Sequence, residues 1–240
     1  IYGYENLKPI KINGEKINES QNNLDSKALQ IKLDECRKIL ASNGLTEIIS
    51  WSFMKEELAS EFTVIGDRLK IVNPISTEMN YMRPTMVPNL MTIVKNNQDR
   101  GIKDIAIFES GKVFVDIKSD GQKNVITGIR VGLNTEKDVH GTSRPYDVFD
   151  VKKDIFDILE IFNISRDSLL ITNDVPDYYH PNRSGAIKLG NIYLGCFGEI
   201  HPLKSNIFDI KNRVNAFELF IDNIPKQKKQ KATQKKRFVP

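Results

Sequence analysis

Ala186-Ile187-Lys188-Leu189-Gly190-Asn191-Ile192-Tyr193-Leu194-Gly195-Cys196-Phe197-Gly198-Glu199-Ile200 is the stretch that decides the fold. Two apolar runs flank Gly190-Asn191, residues that accept positive φ, which is the signature of a hairpin with a two-residue turn. Gly195 and Gly198 lie inside the second run, where glycine marks close packing rather than a phosphate-binding loop. Beyond the hairpin, a short helix is expected after Pro202 and a strand through Val214–Ile221.

Working upstream, a helix is expected from Phe162 back through Leu159, Ile158 and Ile155, fed by a short strand at Phe149–Val151. Val125–Leu133 reads as a strand in which Gly128 and Gly132 permit close approach or a bulge. Asp104–Glu109 and Lys112–Asp116 read as two strands joined across Ser110-Gly111. A helix through Leu90, Ile93, Val94 and Asn97 precedes them, after Pro88. Earlier still come a strand at Leu69–Val72, a short polar helix at Glu56–Phe62 and a strand at Glu47–Phe53. Leu29, Leu33, Cys36 and Leu40 share one face of a helix from Asp25, stopped at Asn43-Gly44. Many strands joined by tight turns, with helices between some, predict an α+β fold with a mostly antiparallel sheet flanked by helices.

The chain has 240 residues, 40% hydrophobic and 28% charged, enough for a normal core. No apolar run approaches the ~20 residues of a membrane span. Cys36 and Cys196 lie far apart in apolar patterns, which predicts two buried thiols in a reducing compartment rather than a disulfide framework. Net charge is +4. Lys226, Lys228, Lys229, Lys231, Lys235, Lys236 and Arg237 outweigh that sum, so the body is mildly acidic and the tail basic. The expected organisation is a linker over 1–24, one module over 25–224 and a basic connector over 225–240, together an interior piece of a larger cytoplasmic protein.

Motifs for self-contained chemistry are missing. Asp177, His180 and Ser184 have the residue types of a catalytic triad, but a triad is usually assembled from separate elements, so three members in one loop are not expected to meet its geometry, and loop-shaping roles are expected for His180 and Ser184. His140, His180 and His201 lack zinc-ligand spacing. Glu199 and His201 share a face at a strand end, where capping the sheet is the plainer role. The tail has the cation density for phosphate contact, through Lys228, Lys229, Lys231, Lys235, Lys236 and Arg237. It has no aromatic before Phe238 for base stacking, so a solvated connector to a following domain is the favoured reading over a dedicated RNA site.

An ordered set of segments resembles the β subunit of bacterial phenylalanyl-tRNA synthetase. It comprises Tyr2-Gly3-Tyr4, Glu47 to Phe53, Asn73-Pro74-Ile75-Ser76, Met82-Arg83-Pro84-Thr85 and Ile107 to Phe114. It continues with Phe149-Asp150-Val151-Lys152, His180-Pro181-Asn182-Arg183-Ser184, Gly195 to Pro202 and Phe217-Glu218-Leu219. Asn182, Gly185 and Lys153 depart from the family's usual glycine, alanine and glycine, which puts local loop shape in question.

The resemblance implies the catalytic-like module of that subunit, a relative of the class II aminoacyl-tRNA synthetase core. Active class II enzymes grip ATP with an arginine on their second signature strand pair and another in a glycine-rich third signature. By resemblance that pair is Ile105–Glu109 with Lys112–Phe114, which lacks the arginine, and Val214–Phe220 lacks the third signature. Stabilising charge on phosphorus requires such cations, so no catalytic residue and no metal ligand are expected here. ATP and Mg2+ would serve the holoenzyme through its α subunit, and the family's β-subunit magnesium ligands would lie upstream of Ile1. The implied partners are the α subunit, in αβ pairs forming a heterotetramer, and tRNA. Arg83, His180, Arg183 and His201 are the expected subunit or tRNA contacts, with internal hydrogen bonding as the plainer alternative for each. An independently active ATP-dependent ligase and an RNA-binding module acting through the tail are the competing functions.

Overall fold

The structure, a computed structural model, describes Asn6 and residues 21–64, 66–118, 121–135 and 143–225. In chain order the elements are α1 (Gln21–Ser42), β1 (Thr46–Glu47), β2 (Phe53–Met54), α2 (Glu56–Ser60), β3 (Tyr81–Met82), α3 (Val87–Gln98), β4 (Ile105–Phe114) and β5 (Gln122–Val131). They continue with α4 (Val148–Ile161), β6 (Leu169–Thr172), β7 (Tyr179–Leu189), β8 (Ile192–Ile200), α5 (Pro202–Ile207) and β9 (Val214–Phe220). Helix α1 begins inside the stretch expected to be linker. The rest of that linker and the basic tail from Lys226 lie, Asn6 apart, outside the described residues.

Among the described residues one seven-stranded sheet runs β1-β4-β5-β9-β8-β7-β6, and β2 and β3 form a separate ribbon. Every neighbouring pair in the large sheet is antiparallel except β1 with β4. The expected hairpin is β7–β8, turning at Gly190 with φ +57°. Gly44 ends α1 with φ +82°, as a left-handed stop does.

Two apolar layers cover the sheet. On one face α1 and α4 bury Leu33, Cys36, Leu40, Ile155, Ile158 and Leu159 against Phe108, Phe217 and Leu219. On the other, α3 buries Leu90, Met91 and Val94 against Ile107, Ile129 and Ala216, joined by Phe62, Tyr178, Tyr179 and Phe208. No helix among the described residues is long and apolar enough to cross a membrane.

Four expectations are corrected. The strand at Glu47–Phe53 is two fragments: β1 lies beside β4, β2 pairs with β3, and residues 49–52 leave the sheet, Ile49 and Trp51 standing exposed. β-propensity describes fit to a half-buried pleated surface, and here no second strand supplies one. Leu69–Val72 is a 3-10 turn at Asp67–Leu69 followed by a single bridge, Lys70 to Tyr81. Asp104–Glu109 and Lys112–Asp116 are one continuous strand, β4, and its partner is β5; the pair proposed by resemblance is therefore a single strand. Gly111 sits mid-strand because a Cβ there would lie 2.5 Å from the Arg83 guanidinium. Phe149–Val151 is the first turn of α4, started by a capping box of Asp147 and Asp150.

Candidate functional site

Strand register aligns Glu109 of β4 with Thr127 of β5, Thr127 with Glu218 of β9, and Glu218 with Cys196 of β8. Directly opposed residues share a face, so these four make a polar row across the sheet on its α3 side, amid apolar neighbours such as Ile107, Ile129 and Ala216. All four are buried. Long-range partners close the row from above.

At one end Arg83, 2% exposed, meets Glu109: Nη1 donates to Oε1 at 2.8 Å, to Ser50 Oγ at 3.0 Å, and Nε to the Lys112 carbonyl at 2.8 Å. Ser50 Oγ donates to the other Glu109 oxygen at 2.6 Å. At the other end Glu218 accepts from Thr85 Oγ1 and from the Tyr178 hydroxyl at 2.5 Å, with the Tyr179 hydroxyl at 3.5 Å and Cys196 Sγ at 3.9 Å. Burial is the first cause that raises the Glu218 carboxyl above its ordinary range, against the pull of the hydroxyls that donate to it. Burial likewise pushes the Tyr178, Tyr179 and Cys196 acids up. Between the two ends, Thr127 Oγ1 is buried with no partner.

Among the described residues the buried cations are Arg83 and Arg130. Arg130, on the opposite face of β5, is equally committed: Nε and Nη2 donate to the two Asp154 oxygens at 2.7 and 2.9 Å, and Nη2 to the Asn43 carbonyl at 3.0 Å. Burial works against its charge, and the Asp154 hydrogen bonds more than offset that, holding Arg130 above its ordinary range. The row's one cation, Arg83, is paired with Glu109, and its other carboxyl, Glu218, is surrounded by hydroxyls, so the row holds no free guanidinium. Among the described residues no group of three or more histidine, cysteine or acidic side chains is close enough to hold a metal ion.

The expected contact residues divide. Arg83 is internal, the cation of a buried pair with Glu109, which is the internal bonding named as the alternative to a subunit or tRNA contact. His180, Arg183 and His201 gather at one end of β7–β8, where register runs from Tyr179↔Ile200 straight to Ser184↔Gly198, so His180 to Arg183 bulge out against Glu199 alone. The imidazoles of His180 and His201 stack with centroids 6.1 Å apart. His180 Nδ1 accepts from the Asn182 amide and His201 Nδ1 from the Leu203 amide, both at 3.2 Å. Arg183 Nε lies 2.7 Å from Glu199 Oε2. Ser184 Oγ donates to the His180 carbonyl at 2.6 Å, so no Asp177–His180–Ser184 triad is assembled. Lys228, Lys229, Lys231, Lys235, Lys236 and Arg237 lie outside the described residues.

Sequence reading missed the row. Glu109 and Glu218 each stand as the acid of a largely apolar strand, and that isolation was the available signal; Thr85 was visible only as part of a family motif, and Tyr178 and Tyr179 carried none.

The model of the phenylalanyl tRNA synthetase beta chain CLM domain matches residues 17–221. The phenylalanine–tRNA ligase beta subunit of Rickettsia bellii is 40% identical over 229 residues, covering 95% of this chain and 26% of that protein. Its counterpart in Bartonella henselae is 38% identical over 239 residues, covering 98% of this chain and 29% of that protein. The chain thus spans about a quarter of the length of these relatives. In fold it is similar to the pyrrolysyl-tRNA synthetase of Desulfitobacterium hafniense, with TM-score 0.58 at 16% identity over 82% of this chain and 66% of that one. Matched over nearly its whole described length and closely related in sequence, the chain belongs to the phenylalanyl tRNA synthetase beta chain CLM domain family.

Proposed function

We propose that this chain is the non-catalytic, class II-like module of the β subunit of phenylalanine–tRNA ligase. It docks on the catalytic α subunit, in αβ pairs doubled into a heterotetramer, and supports tRNA aminoacylation in the cytoplasm. ATP and Mg2+ serve the α subunit. The observation that carries this reading is the fate of the arginines: among the described residues each buried guanidinium is paired with a buried carboxylate, so neither is free for a phosphate.

The segment between α1 and α3 supplies apolar surface for docking. Ile49, Trp51 (63% exposed), Val72 and Ile75 all project outward from it, and exposed apolar groups so concentrated mark a protein interface. His180, Arg183 and His201 are the contact residues at the other end of the sheet. Lys228, Lys229, Lys231, Lys235, Lys236 and Arg237 are assigned to tRNA phosphate.

Phenylalanine-dependent pyrophosphate exchange tests the reading. The full-length β subunit without α is expected to give none, and the assembled complex is expected to give it. Sustained exchange by β alone, or exchange that survives inactivation of α, overturns the proposal.

A further inference from the structure

We infer that the buried Arg83–Glu109 pair is a positioning device for the segment 49–52: through the Ser50 hydroxyl it decides that Ile49 and Trp51, and not the serines beside them, face outward. The inference deepens the docking reading above and rests on it for the use of that surface, whereas the positioning itself is read in the free subunit.

Residues 49–52 alternate in the opposite sense to an ordinary half-buried strand. Ile49 (92% exposed) and Trp51 stand in solvent, while Ser50 and Ser52 are half-buried. A slip of one position would reverse the alternation. Removing apolar surface from water favours that reversed arrangement, so a contact on the inner side has to outweigh it.

That contact is a hydroxyl relay. Ser50 Oγ accepts from Arg83 Nη1 at 3.0 Å and donates to Glu109 Oε2 at 2.6 Å. The position needs one side chain that both accepts and donates, as a hydroxyl does; an isoleucine does neither and an indole only donates. With Ile49 or Trp51 turned inward, the buried carboxylate loses this donor and the guanidinium this acceptor, and charged groups are the costliest to leave without partners. Main-chain bonds hold the same face. The Arg83 amide donates to the Ser52 carbonyl at 3.0 Å, and Asn89 Nδ2 donates to the Trp51 carbonyl at 3.0 Å.

Arg83 can hold the segment because it is itself fastened to the sheet. Its carbonyl accepts from the Phe114 amide at 3.0 Å, its Nε donates to the Lys112 carbonyl, and two residues on, Thr85 Oγ1 bonds to Glu218. Both carboxylates of the polar row therefore anchor residues 83–85, and Arg83 anchors the segment 49–52. The row has a use outside catalysis: it is the rigid footing of an exposed apolar surface.

The test uses the full-length β subunit labelled with 5-fluorotryptophan. Trp51 is the single tryptophan of these 240 residues, and its fluorine resonance is assigned by loss in Trp51→Phe. The readout is the change of that resonance between H2O and D2O, which reports the ring's contact with water. Arg83→Met with Glu109→Leu removes the demand for a hydroxyl and leaves an apolar core; Arg130→Met with Asp154→Leu removes the buried pair on the opposite face and is the control. We expect the isotope shift of Trp51 to fall by about half in the first double variant, as a ring that turns inward loses water, and to hold in the control. Ser50→Ala should lower it in the same direction, and Ser50→Thr, which keeps the hydroxyl, should preserve it. An unchanged Trp51 shift in the folded Arg83→Met/Glu109→Leu subunit overturns the inference, as does an equal fall in the control. If that double variant does not fold, an unchanged shift in Ser50→Ala overturns it. Association with α, measured on the same variants, should weaken with the loss of the outward ring. A moved Trp51 with unaltered association supports the positioning and instead overturns the assignment of this surface to α.

Discussion

Arg83 and Glu109 show what a buried pair costs to disturb. Each is enclosed, and removing one partner strands the other's charge in the core, a loss of about 3–5 kcal/mol. Arg83→Met should therefore lower stability by roughly that amount in urea titration, while Arg83→Met combined with Glu109→Leu should recover much of it. Glu218 behaves differently, since hydroxyls rather than a cation surround it. Its carboxyl is raised in the folded chain above the ordinary value of 4.5. The folded state then keeps a proton that the unfolded state releases above about pH 4.5, so this group's contribution falls as pH rises. Glu218→Gln mimics the protonated acid and should gain on the unmodified chain as pH rises above about 4.5, by at most about 1.4 kcal/mol per pH unit until the folded carboxyl itself ionises. Parallel urea curves at each pH would read it. The row was illegible in the sequence because its partners are remote: Thr85 is 133 positions from Glu218 and Tyr178 is 40.

Elements whose signals are local could be read directly. The β7–β8 hairpin carried its own turn, and α1 carried both its face and its glycine stop. Where tertiary context decides, reading failed: the aromatic and β-branched residues of 47–53 suit a strand, but the Ser50 and Arg83 contacts draw that segment out of the sheet. Helix α4 was mis-started because Phe149 and Val151 favour strands, although Asp147 and Asp150 supplied a capping signal. Asp147→Ala should cost about 1 kcal/mol and raise amide exchange in the first turn of α4. In β5, a Cβ at Gly128 would run into the Phe217 ring. Gly128→Ala is thus expected to destabilise by about 1–3 kcal/mol through overpacking, measurable as a lowered melting temperature.

At the scale of the molecule, the α+β class and antiparallel sheet were legible, and so was the family, because short motifs in fixed order mark it. Trp51 reads in the sequence as a strand residue, and its exposure depends on how the chain leaves β1. The strand order has a consequence for synthesis on the ribosome. The last strand among the described residues, β9, lies in the middle, between β5 and β8. Until residues 214–220 emerge, the nascent chain holds two incomplete half-sheets, each with a bare seam of unpaired amides and carbonyls. A released chain truncated at Arg213 should be cut rapidly by protease in both halves, and one ending past Ile224 should resist, as β9 closes both seams in a single step.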